Sequence, residues 1–85
     1  MDDYLSEYPG ELIRAKASVW RKLIGKKVVY VRTRDIDHSR GNYTVSFMVV
    51  SQVAGKNIQT ETGDWLWLPH IYQAKIVQEN LPASP

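Results

Sequence analysis

Five consecutive residues, Asp35-Ile36-Asp37-His38-Ser39, gather two carboxylates, an imidazole and a hydroxyl. General acid–base catalysis and metal sites are built from such groups. Both also need rigid placement and partners from distant segments. Here the next residues are Arg40, Gly41 and Asn42, and polar residues of this kind favour a solvated turn for backbone reasons. We therefore read the stretch as a loop and assign no catalytic residue. His38 and His70 are the two histidines, and there is no cysteine, so a structural zinc lacks ligands and no thiol nucleophile exists. Gly25-Lys26-Lys27 lacks the upstream glycine of a phosphate-binding loop. The chain reads as a non-enzyme with no cofactor and no metal.

Binding chemistry is better represented. Net charge is +2, but residues 12–40 hold nine Lys or Arg against Asp35 and Asp37, while residues 1–11 carry −4. That basic block could line a phosphate-binding surface. Arg14, Arg21, Lys22, Lys26 and Lys27, with Tyr30 as a base-stacking ring, are its candidate nucleic-acid contacts. The second candidate surface is aromatic. Trp65, Trp67 and Tyr72, beside Pro69, would give apolar contact, and Arg32, Arg34 and Arg40 would orient an acidic partner. The bland alternative for each ring is the core, because one aromatic side chain buries about 150–250 Å².

The elements that must hold these residues follow from periodicity. Pro9 suits the first turn of a helix, and Ile13, Ala17, Trp20 and Ile24 recur at steps of three and four up to Gly25, a C-terminal cap. The spacing predicts a helix over 9–24 whose stripe packs on the outer face of a sheet. The period then changes to two. Strands are expected at Lys26–Arg34, Tyr43–Val53, Ile58–Thr62, Trp65–Leu68 and Gln73–Gln78, with a helical turn at Pro69–Tyr72. Several strands are apolar on both faces, Val29 and Val31 against Val28 and Tyr30 for example, so the sheet should be covered on both sides. Whether Trp65 and Trp67 or Leu66 and Leu68 face the core stays open at this point.

Trp67-Leu68-Pro69-His70-Ile71-Tyr72 followed by Ile76 resembles the end of an SH3-like small barrel, where a one-turn 3₁₀ helix joins the last two strands. The resemblance implies a domain of about five strongly bent strands. It also implies that Pro69 and Tyr72 lie where that family places two ligand-contacting residues. The chain has neither the aromatic-rich first strand nor the acidic loop of peptide-binding members, so architecture is the whole of what the likeness implies.

Length bounds the rest. Eighty-five residues make one domain with a marginal core, stapled by no disulfide. Residues 1–8 and 81–85 read as loosely ordered. No apolar run approaches the roughly 20 residues that span a membrane. The acidic N-terminus is unlike a secretion signal, and the lack of cysteine fits a cytoplasmic setting. The expected fold class is α+β: an N-terminal helix on a small, strongly bent antiparallel sheet. Two functional readings stand: a non-catalytic module that binds another protein or itself, a homodimer included, and a nucleic-acid binder using the basic block.

Overall fold

The computed structural model of the chain describes residues 3–77. It is a mostly antiparallel, sheet-rich domain with one short helix. After an irregular N-terminal segment come α1 (Ala17–Arg21) and β1 (Lys27–Arg32). A 3₁₀ turn (Thr33–Asp35) leads to a small hairpin, β2 (Ile36–Asp37) and β3 (Asn42–Tyr43). Then follow β4 (Ser46–Ala54), β5 (Asn57–Thr60), β6 (Trp65–Trp67), a second 3₁₀ turn (Leu68–His70) and β7 (Ile71–Ile76). Five strands form one sheet in the order β6-β5-β4-β1-β7. The expected last strand therefore starts two residues earlier, at Ile71. Gln78 and the tail 81–85 lie outside the described residues.

Period-two alternation locates most of the sheet, and β1 shows why, since it presents apolar residues to two different cores; but the stretch 35–42 read as a loop holds β2 and the start of β3, and the strand expected from Tyr43 begins at Ser46. Val28 and Tyr30 of β1 join Met48, Val50, Ile58, Leu68, Ile71 and Ala74 in the larger core. Val29 and Val31, on the opposite face, are fully buried with Leu5. The expected two-sided burial is thus present. The β4–β5 hairpin turns through Gly55 at φ 62, a left-handed conformation that costs a glycine nothing at the first central position of a tight turn. Register shifts at Val31/Arg32 against β7 and at Val50/Gln52 against β5 bend the sheet locally.

Three further expectations need correction. The helix covers five residues, not 9–24. The Ile13 N–H donates to the Ala74 carbonyl of β7 at 2.8 Å, which draws this stretch out of helical hydrogen bonding, and Lys16 gives α1 no side-chain cap. Because α1 ends at Arg21, Leu23 rather than Ile24 turns inward; Ile24 is half exposed. Gly25, at φ 88, donates its N–H to Val50 and ties the helix exit to β4. The apolar stripe also covers a different side. Trp20 and Leu23 belong to the larger core, with Ile13 packed against it, whereas the N-terminal segment covers the other face.

That segment is the third difference. Within 1–8, read as loosely ordered, residues 3–8 dock on the sheet. Leu5 is wholly buried, and the Tyr4 N–H donates to Gln73 Oε1 at 2.8 Å. Lys75, itself buried on β7, donates from Nζ to the Leu5 and Tyr8 carbonyls at 2.9 and 2.8 Å. The ammonium thus clamps a turn that the Tyr8 N–H to Leu5 carbonyl bond closes.

Candidate functional site

The Trp-bearing strand is positioned by β5. Ile58 lies opposite Leu66, Gln59 opposite Trp65 and Asn57 opposite Trp67. Ile58 is fully buried and Leu66 packs against the same core, so alternation turns Trp65 and Trp67 the other way. They are 49% and 47% exposed. The leucines face the core and the tryptophans face solvent, which resolves the alternative that the sequence left open.

Around this pair the second 3₁₀ turn contributes His70, the end of β1 contributes Arg32 and the first 3₁₀ turn contributes Arg34. The Trp67 ring meets the His70 ring edge-on, with centroids 4.8 Å apart. Arg32, Arg34 and His70 line a cleft of about 90 Å³ together with Trp65, Leu66 and Trp67. Pro69 is exposed within the turn between Leu68 and His70. On the other side of Trp65 lies a wider, open cavity of about 420 Å³, with Phe47 and the carboxylates of Glu61 and Asp64 on its walls. Trp65, Leu66 and Arg32 line both clefts, while Arg34 lines only the narrow one and the two carboxylates only the wide one.

The two arginines are not equivalent. Arg32 holds Asp35 through Nε at 2.9 Å and Nη2 at 3.2 Å, and its own N–H donates to the same carboxylate at 3.1 Å. Burial acts to raise the Asp35 carboxyl, but the hydrogen bonds and charge of Arg32 outweigh it and hold the pKa below the usual value. The hydrogen bond to Asp35 in turn raises the Arg32 guanidinium. Arg32 is thus neutralised within its own turn. Arg34 is exposed and makes no ion pair among the described residues.

Two candidate residues lie elsewhere. Tyr72 falls at the register shift between β7 and β1, where Ile71 faces Arg32 and Gln73 faces Val31. The extra residue turns to the N-terminal segment, and its ring meets Tyr4 at 5.7 Å, which meets Tyr43 at 4.9 Å. No ring contact joins it to either tryptophan among the described residues. Arg40 sits on the β2–β3 turn, 3.9 Å from Asp37.

The loop that could have done acid–base chemistry is spent on local structure. Asp37 accepts from the Ser39 N–H and Oγ at 3.1 and 2.7 Å, and the bond from the Ser39 side chain is the main reason its pKa lies below the usual value. His38 is exposed on the same turn.

The nucleic-acid set divides by exposure. Arg14, Arg21, Lys22, Lys26 and Lys27 are exposed, but Tyr30 is 7% exposed within the larger core and its ring is unavailable for stacking. Burial pushes its hydroxyl pKa up. Lys27 caps the Phe47 ring at 5.3 Å. Lys26 and Lys27 stand at the opposite end of β1 from Arg32, about 17 Å along the strand at the usual rise.

Sequence reasoning missed His70 as a partner of Trp67 and Lys75 as a clamp. The Trp67-to-His70 spacing across Pro69 was a usable signal for the first, since a one-turn 3₁₀ helix brings such residues to one side. Lys75 looks like an ordinary strand lysine until its register against fully buried Val29 is known. No family model, curated protein or solved structure matches the chain.

Proposed function

We propose that this chain is a non-catalytic interaction module that binds another protein, or a second copy of itself, through the surface centred on Trp65 and Trp67. The observation that carries this reading is the pair of half-exposed indoles on one short strand, while Leu66 between them fills the core. Each leaves roughly 100 Å² of apolar ring surface in water, which burial by a partner would convert into about 2.5 kcal/mol at 25 cal/mol/Å². Trp and Arg are also the residues that dominate binding hot spots. Arg34 flanks the indoles and favours an acidic contact. Tyr72, Arg40 and the exposed lysines would be peripheral.

We further place the fold among SH3-like small barrels. The strand order β6-β5-β4-β1-β7 and the one-turn 3₁₀ helix before the last strand support that placement. No helix among the described residues is long and apolar enough to cross a membrane, and the absence of cysteine favours a cytoplasmic setting.

The test compares the wild-type chain with a Trp65→Ala/Trp67→Ala double variant as bait, followed by titration of each retained protein. Partners of the wild type should lose at least tenfold in affinity for the folded double variant. Unchanged affinity for every partner would refute the reading.

A further inference from the structure

The backbone of β6 carries information that its side chains do not. The Leu68 N–H donates to the Lys56 carbonyl at 2.8 Å, and the Thr60 N–H to the Asp64 carbonyl at 2.8 Å. Both lie two residues from the Ile58–Leu66 pair, on either side of it. Hydrogen-bonded pairs alternate along an antiparallel ladder, so Leu66 turns its N–H and C=O toward β5. Trp65 and Trp67 must then turn theirs away from the sheet. β6 is the last strand in the order, so the two N–H groups and the Trp65 C=O have no strand partner among the described residues, while the Trp67 C=O caps the following 3₁₀ turn and accepts its first N–H. The other edge differs, because the outward Ala74 carbonyl of β7 is already taken by the Ile13 N–H.

We propose that β6 is a strand-addition site, on which an extended segment of an acidic partner protein pairs with the Trp65 and Trp67 backbone. The proposal rests on the reading of the Trp surface above and adds its geometry and chemistry. Charge selects the occupant. Arg34, exposed and without an ion-pair partner among the described residues, lines the narrow cleft beside both indoles, and the nearby Glu61 and Asp64 line the wider cavity at Trp65 instead. A carboxylate on the added segment meets Arg34 while alternate side chains rest on the indoles. Pro69 ends the strand after Trp67, so the added ladder is short and binding is weak.

The experiment titrates the full ¹⁵N-labelled chain with three capped hexapeptides. One alternates glutamate and valine, one alternates lysine and valine, and one is the glutamate–valine peptide N-methylated at every second residue. Near saturation with the first, amide exchange at Trp65 and Trp67 should slow about tenfold, with Leu66 changed far less because it is already bonded to β5. The lysine peptide should bind about fivefold more weakly, the N-methylated peptide should not bind, and Arg34→Glu should reverse the charge preference. A change in Trp fluorescence without slowed exchange at the two amides, and with equal binding of the N-methylated peptide, overturns strand addition but leaves the Trp surface standing. No binding of any peptide at millimolar concentration overturns it as well. So does protection of the same amides without peptide, accompanied by a dimer in sedimentation, which makes the occupant a second copy.

Discussion

Replacing Lys75 by Met tests whether one ammonium group holds the second core together. Methionine keeps the length of the aliphatic stem and removes the charged donor that reaches the Leu5 and Tyr8 carbonyls at 2.9 and 2.8 Å. Two buried carbonyls are then left without partners, at about 1–3 kcal/mol each. Relief of the ammonium's own desolvation offsets part of this. Release of the 3–8 segment to water caps the loss, but only by exposing Leu5, whose full burial is worth about 1.5–3 kcal/mol. The net cost should be about 2 kcal/mol on either route. A domain of this size has about 4–13 kcal/mol in total. At about 4–8 °C per kcal/mol, Tm should fall by roughly 8–16 °C. Urea denaturation followed by circular dichroism gives the free energy. Exchange at the Tyr8 amide, which closes the clamped turn, reports the segment directly. Lys75→Met and Leu5→Ala should be non-additive, because both release the same segment. A Lys75→Met protein within about 0.5 kcal/mol of wild type, with unchanged Tyr8 exchange, would refute the clamp.

Trp65→Ala and Trp67→Ala should each cost less than about 1 kcal/mol of fold stability in urea titrations, whereas Trp20→Ala should cost about 3–5. Trp20→Phe should be milder than its lost volume suggests, because the buried Trp20 Nε1 has no hydrogen-bond partner among the described residues and phenylalanine removes that donor. Asp35 has a folded pKa below its unfolded value, near 3.9, so its contribution is present above that pH and drains as pH falls through the folded value. Asp35→Asn should accordingly lose less stability than wild type between about pH 5 and pH 2, measured by urea midpoints at each pH. Mixed-sequence single-stranded DNA at physiological salt should leave Trp fluorescence unchanged, since Tyr30, the ring expected to stack on bases, is buried. Micromolar quenching that weakens steeply with salt would instead favour the nucleic-acid reading.

Much of the sheet could be read in advance because its signals are local. Val28 to Val31, Met48 with Val50, and the Gly55 turn each announce their conformation through their own neighbours. The helix was overread for the same reason in reverse. Ile13, Ala17 and Trp20 have helical spacing, but a single main-chain bond to Ala74, sixty-one residues away, takes Ile13 out of the helix. The orientation of Trp65 and Trp67 depends on which face of β5 is buried, and the separation of Tyr72 from them depends on one register shift. Neither is encoded within six residues of the side chain concerned. The docking of Leu5 was hidden by the acidic and polar residues around it, and only the buried Val29 and Val31 show why it is needed.

The strand order also sets a timetable for folding. β4, β5 and β6 form a meander of neighbours joined by short turns, and such local pairings close quickly. β1 can join this meander through β4, but its other edge must wait for β7, which closes a loop of about 45 residues. The N-terminal segment waits longest, because the Lys75 clamp on Leu5 joins residues 70 apart in sequence. During synthesis the 3–8 segment is therefore made before the strand that holds it, and Val29 and Val31 stay uncovered until β7 is available. A nascent chain halted before Lys75 would carry an apolar face open to chaperones, and the final residues of β7 would close it.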